Sequence, residues 1–233
     1  MTKCVRLNLF VIAVAALVSG CCCPGNKSAS VSTTADREVS IKFDNASFYK
    51  DGKFDVEKGK DAVMALMKYH GYPMYAGIRE KIWVSDYGLG HFTEVGLAAV
   101  MFKNNTKDQY MLMDLFLVPG QMLPEHWHLD GEGNPAKREG WLVRNGLSHI
   151  VGEGAPNLTI KVPAIHNGGK VTVEHDVIAK PGMFVPLNRV TAHHWQMAGP
   201  EGAIITEVAN VHTDSAVRHL DKVMNDYFLR GGK

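Results

Sequence analysis

The segment Pro119-Gly120-Gln121-Met122-Leu123-Pro124-Glu125-His126-Trp127-His128 decides how this chain is read. A proline–glycine turn leads into an apolar step and then into two histidines spaced i, i+2. On an extended strand, residues two apart point to the same face. His126 and His128 can therefore offer their rings to one metal ion while Trp127 points away. Neutral imidazole is the commonest protein metal ligand. A histidine pair alone is a weak signal, because a metal site needs a complete ligand set. The rest must come from elsewhere in the chain.

It comes from both sides. Gly120 precedes the pair, Glu139 follows it, and Gly146 lies further on. This order resembles the first cupin motif, G-x5-H-x-H-x(n)-E-x6-G, with a longer gap between His128 and Glu139 than the common form. A hairpin whose loop runs from Leu129 to Arg138 would bring Glu139 beside the histidines on a neighbouring strand. Pro181-Gly182-Met183-Phe184-Val185-Pro186, followed by His193-His194-Trp195, fits the second cupin motif. Neighbours on a strand face opposite ways, so either His193 or His194 can complete the set. Three imidazoles and a carboxylate leave about two open positions in an octahedral shell. That mixed set suits Mn, Fe, Co, Ni or Zn, and an oxygen-rich substrate favours Mn. A closed tetrahedral zinc site would leave no room for chemistry.

Around these motifs the chain has the texture of a β protein. Short β-prone runs cover residues 82–84, 96–103, 110–118, 140–151, 158–161, 170–178 and 204–211, and turns rich in Gly, Pro and Asn separate them. Such spacing predicts a sandwich or barrel, here a mainly β cupin jelly roll. Residues 39–43 alternate as a first strand would. Val63, Leu66 and Met67 predict a helix over 58–70, stopped by Gly71. Val217, Leu220, Val223, Met224, Tyr227 and Phe228 form one apolar stripe, which predicts a C-terminal helix packed on the barrel.

The N-terminal part reads differently. Lys3 and Arg6 precede an apolar run from Leu7 to Ser19, the pattern of a secretory leader. Val18-Ser19-Gly20-Cys21 resembles the lipobox of bacterial lipoproteins, which implies a signal peptide over 1–20 and lipidation of Cys21. Residues 21–36 are small and polar and read as a flexible tether, leaving 37–233 as the cupin domain. The expected location is outside the cytoplasm, anchored to a membrane in the periplasm or at the cell surface. Cys4, Cys21, Cys22 and Cys23 all lie in this leader region, so the domain has neither disulfide nor cysteine metal site. A net charge of +1 with no basic run argues against nucleic-acid binding.

Several motifs together resemble the D-lyxose ketol-isomerase branch of the sugar-isomerase cupins. They are Pro119-Gly120-Gln121, Pro124-Glu125-His126-x-His128, Lys137-Arg138-Glu139, Lys180-Pro181-Gly182, His194-Trp195, Gly199-Pro200-Glu201-Gly202-Ala203, and Glu207 with Asp214. The resemblance selects His194 over His193 as the ligand. It implies a divalent metal, Mn first, on His126, His128, Glu139 and His194, and an aldose–ketose isomerisation of a free sugar such as D-lyxose or D-mannose through an enediol. It makes Glu207 the base and gives Lys137 the task of holding a sugar oxygen or stabilising the enediolate. His212 and Asp214 are expected near the substrate, and Trp127 and Trp195 are expected to stack on the sugar. A homodimer is a further expectation. Gly140, where an acidic residue often follows the motif, and the stretch around His219-Leu220 depart from the pattern and bear on the choice of sugar. The same metal shell serves cupin oxygenases, and a sugar-binding lipoprotein without turnover could keep the fold. Lys137 and Glu207 discriminate, since an isomerase needs a base and an oxygenase an apolar O2 site.

Overall fold

Aliphatic runs between glycine and proline turns curl into one antiparallel sheet with few helices. The computed structural model describes residues 39–231; the leader, Cys21 and the tether lie outside them. A small hairpin of β1 (Tyr49–Lys50) and β2 (Lys53–Phe54) precedes α1 (Val56–Tyr69) and α2 (Ile78–Lys81). Next come β3 (Trp83–Ser85), β4 (Leu97–Asn105), β5 (Tyr110–Leu117), β6 (Met122–His128) and β7 (Glu139–Gly152). The chain ends with β8 (His175–Ala179), β9 (Phe184–Pro186), β10 (His194–Ala209), β11 (Val217–His219) and α3 (Lys222–Leu229).

The sheet runs β11-β6-β10-β5-β4-β3, and β7 pairs with β10, β8 and β9. The long β10 is the hinge of this topology. Its first part pairs with β6, its second part with β5, and β7 accompanies it throughout. The register shifts between Ala198 and Ala203, at the Gly199–Gly202 corner. Two glycines make that corner possible. Gly146 (φ +71) faces the Gly202 carbonyl so closely that no Cβ would fit, and a Cβ on Gly202 (φ +73) would meet Leu117 O at 2.7 Å. The cupin-motif glycine thus serves a backbone crossing.

One apolar cluster fills the concave side, with Leu97, Met113, Leu115, Trp141, Val143, Trp195 and Ile205 among its members. A second packs α1 against the opposite face of β4, β5 and β10 through Val63, Leu66, Met67, Phe116 and Ile204. The Asp55 carboxylate caps α1 by accepting from Glu57 N and Lys58 N, at 3.0 and 3.2 Å.

Several local expectations are corrected. Residues 39–43 form no strand; Ile41 is buried against the α1 cluster without ladder bonds. Residues 158–161 are loop, with Leu158 and Ile160 packed on the concave-side core. The final apolar stripe is divided: Val217–His219 pairs with β6, and the helix begins only after Asp221 caps it.

Candidate metal centre and cavity

Strand geometry gathers the four residues of the two histidine motifs. His126 and His128 share a face of β6, His194 opens β10 directly opposite His126, and Glu139 opens β7. One donor atom from each lies within 4.8 Å of the others, and all four side chains are buried. His126 Nδ1–H donates to Pro124 O at 2.8 Å and His194 Nδ1–H to Ala192 O at 2.9 Å. A carbonyl only accepts, so the proton sits on Nδ1 and the Nε2 lone pair is left for another partner. Nε2 of His128 and of His194 lie 3.0 and 3.2 Å from Glu139 Oε1. Neither contact has hydrogen-bond geometry, so these buried atoms lack partners. Such orphaned groups are costly, and a cation shared among them would satisfy them. Burial, reinforced by neighbouring His194 and His128, holds His126 well below its usual range, and burial brings His128 down to about 4. The His126 and His128 rings are therefore neutral, the state in which imidazole binds metal. The donor set fits a divalent ion.

His193 faces the other way. Its Nδ1 donates to Glu125 Oε1 at 2.8 Å and its ring stacks on Trp127, with centroids 4.1 Å apart. Strand alternation thus places His194 alone of the two in the cluster.

Lys137 and Glu207 stand beside this set. Lys137 Nζ lies 2.9 Å from Glu139 Oε2 and also contacts Glu207 Oε1. Trp141 Nε1 donates to the other Glu207 oxygen at 3.2 Å. Burial would lower the Lys137 pKa, but the two carboxylates outweigh it and raise the value. Burial would raise Glu139, but Lys137, His128 and His194 hold it well below the carboxylate range. Glu207 receives less compensation: burial, helped by the Glu139 charge and opposed by Lys137, pushes it up to about 7. Asn210 fixes the approach to this group, donating to Ala136 O at 3.2 Å and accepting from Arg138 N at 2.8 Å. Those bonds hold the backbone on both sides of Lys137.

The cluster opens into a cavity of about 590 Å³. His126, His128, Lys137, Glu207, His212 and Asp214 all line it. The Asn104 amide clasps the His212 backbone with bonds of 2.8 and 3.0 Å, and the ring donates from Nε2 to Asp214 Oδ1 at 2.9 Å. Trp127 and Trp195, expected to stack on a sugar, are not among the lining residues. Each alternates outward from a histidine of the cluster: Trp127 packs on His193, and Trp195 donates to Val173 O at 3.1 Å. Asn210 and the lining residue Tyr87 carry no signal in the sequence, Phe228 reads there only as part of a helical stripe, and His219, which pairs with His126 across β11 and β6, reads only as a departure from the family pattern. The departure noted around His219 was the one available hint.

Comparisons with known proteins agree with this geometry. A family model described as D-lyxose isomerase matches residues 78–227. The D-lyxose ketol-isomerase of Cohnella laeviribosi is 32% identical over 159 residues, covering 67% of this chain and 85% of that protein. The D-lyxose/D-mannose isomerase of Thermosediminibacter oceani is 32% identical over 166 residues, covering 70% and 88%. The crystal structure of Cellulomonas parahominis L-ribose isomerase shares the fold at a TM-score of 0.56 and 11% identity, over 74% of this chain and 94% of that one.

Proposed function

Because the chain belongs to the D-lyxose isomerase family, we propose that it interconverts an aldose and its ketose, on a free sugar such as D-lyxose or D-mannose, through an enediol. The observation that carries this reading is geometric: Glu207, a buried carboxyl bridged through Lys137 to Glu139, lines the same cavity as His126 and His128, and burial pushes it up to about 7. A base near neutrality can both take and return a proton. Glu207 takes the proton from C2 of the aldose and, after exchange with solvent, returns one to C1, while the proton of the C2 hydroxyl passes to O1. Lys137 keeps its charge and offsets the negative charge that develops on the enediolate oxygen. A divalent ion on His126, His128, Glu139 and His194, with Mn the proposed choice, would polarise the carbonyl and hold the neighbouring hydroxyl. His212 and Asp214 bind the more distant hydroxyls.

An uncharged sugar suits the cavity. Among the described residues lining it, Lys137 is the sole lysine or arginine, and two carboxylates already engage it. A phosphorylated sugar would find no uncommitted lysine or arginine there. The test is turnover of D-lyxose and D-mannose in D2O with Mn supplied. Ketose carrying solvent deuterium at C1, lost in Glu207→Gln, is expected. Ketose formed at the full rate by Glu207→Gln would refute the role of Glu207. The leader supports export with lipid on Cys21, so mass spectrometry of the mature N-terminus should find a diacylglyceryl cysteine; an unmodified Met1 would refute it.

A further inference from the structure

The turn Ser85-Asp86-Tyr87-Gly88 closes one wall of the cavity in a backbone conformation that its sequence does not favour. Tyr87 has φ +54, in the left-handed region where a bulky L side chain crowds its own backbone. The surroundings hold it there. Tyr87 N donates to Ser85 Oγ at 3.1 Å. The Asp86 carboxylate accepts from Gly88 N at 2.9 Å, Gly90 N at 3.1 Å and the Tyr49 hydroxyl at 3.0 Å. Gly88 follows at φ +72 beneath the Tyr227 ring of α3, where a Cβ would meet that ring at 2.7 Å. Strain of this kind persists only where neighbours over-determine it, and it gathers at functional sites.

The result is a buried tyrosine turned into the cavity. Tyr87 is 3% exposed and lines the same space as His126, Lys137 and Glu207. Its ring meets His219 edge-on at 5.2 Å. Its hydroxyl has no hydrogen-bond partner among the described residues and is not among the sealed polar atoms of the core, so it stands open to a ligand in the cavity. Burial, with the Glu207 charge adding to it, raises the phenol above its usual range. It stays a neutral donor at any working pH.

We propose that Tyr87 is a substrate-contacting residue, its hydroxyl donating a hydrogen bond to a sugar oxygen and so holding the carbon chain against Glu207. This rests on the isomerase reading of the cavity. No bond is made or broken at Tyr87, and the phenol keeps its proton throughout.

The test is Tyr87→Phe in the full, Mn-loaded chain, which keeps the ring against His219 and removes only the hydroxyl. Three quantities are read: melting temperature, kcat/KM on D-lyxose and D-mannose, and calorimetric Kd for the unreactive alditol obtained by reducing D-lyxose. We expect an unchanged melting temperature, a fall in kcat/KM of roughly 10–100-fold, and weaker alditol binding. With single-deoxy aldoses, the analogue lacking the contacted hydroxyl should be turned over equally by both proteins. Unchanged kcat/KM and unchanged Kd would overturn the proposal and leave the ring a packing role. If the wild-type protein binds alditol through Tyr87 yet turns over no aldose, the isomerase reading falls and the contact stands. If it neither binds nor turns over sugar, both fall.

Discussion

Replacing Lys137 by methionine takes one ammonium from between two carboxylates with almost no change in volume. Nζ lies 2.9 Å from Glu139 Oε2 and touches Glu207 Oε1, and the three side chains are 4%, 1% and 4% exposed. Breaking a buried ion pair costs about 3–5 kcal/mol, chiefly through the charge left behind. Glu207 can relieve part of that by taking up a proton, which places the expected loss near the lower end, about 3 kcal/mol. The kinetic consequence is more specific. Lys137 opposes the rise of Glu207 to about 7, so its removal drives the carboxyl higher. Each further unit is worth about 1.4 kcal/mol and costs roughly tenfold in ionised base below that pKa. The acid limb of kcat/KM should therefore move to higher pH, and the rate at neutral pH should fall by about tenfold per unit. Profiles of wild type and Lys137→Met are compared at the same saturating Mn concentration, because the bound ion adds its own positive field. An acid limb that stays in place, or moves to lower pH, would refute the reasoning.

Other consequences concern stability. Glu207 has its folded pKa raised from 4.5 to about 7, so its contribution is complete below 4.5 and is lost as pH rises through about 7. Glu207→Gln should abolish turnover yet be more stable than wild type at pH 8 by on the order of 1–3 kcal/mol, and so melt higher; an unchanged or lower melting temperature would contradict this. The metal-free protein behaves in the opposite sense. His126, His128, His166, His212 and His219 all have pKa values below 6.5, led by burial. Their stabilising contribution is present above 6.5 and lost as pH falls below it, so apo melting temperatures should drop from pH 7 to pH 5. Gly146→Ala places a methyl group on the Gly202 carbonyl at positive φ and should cost at least about 3 kcal/mol, whereas Gly140→Ala meets only the half-exposed Phe184 ring, which can swing away. Equal melting temperatures for the two variants would overturn the account of the β7–β10 crossing.

The clustering of three histidines and a glutamate was legible because polar residues in strands stand out against an apolar background and obey a period of two. His126 and His128 announce one face, and Glu139 and His194 follow at cupin spacing. The same alternation explains what misled. Trp127 and Trp195 sit next to the clustered histidines in sequence and therefore point away from them in space. Residues 158–161 and 39–43 have strand-like composition but join no ladder, and tertiary packing of their apolar side chains overrides their preference. Val217 to His219 continues the apolar pattern of the following helix, so only pairing with β6 reveals it as a strand. Tyr87 gave no signal. It lies far from the motifs in sequence, and its role depends on a positive φ and on loop packing that composition does not encode.

One divalent ion on His126, His128, Glu139 and His194 and turnover of a free aldose are expected to belong to the same site. Metal content and ketose formation from D-lyxose and D-mannose, measured side by side for wild type and Glu139→Ala after chelation and Mn reloading, test it directly. The account predicts one tightly held ion per wild-type chain, ketose only when that ion is present, and loss of both in Glu139→Ala. Undiminished turnover by Glu139→Ala, or by the wild-type protein stripped of metal, would contradict it.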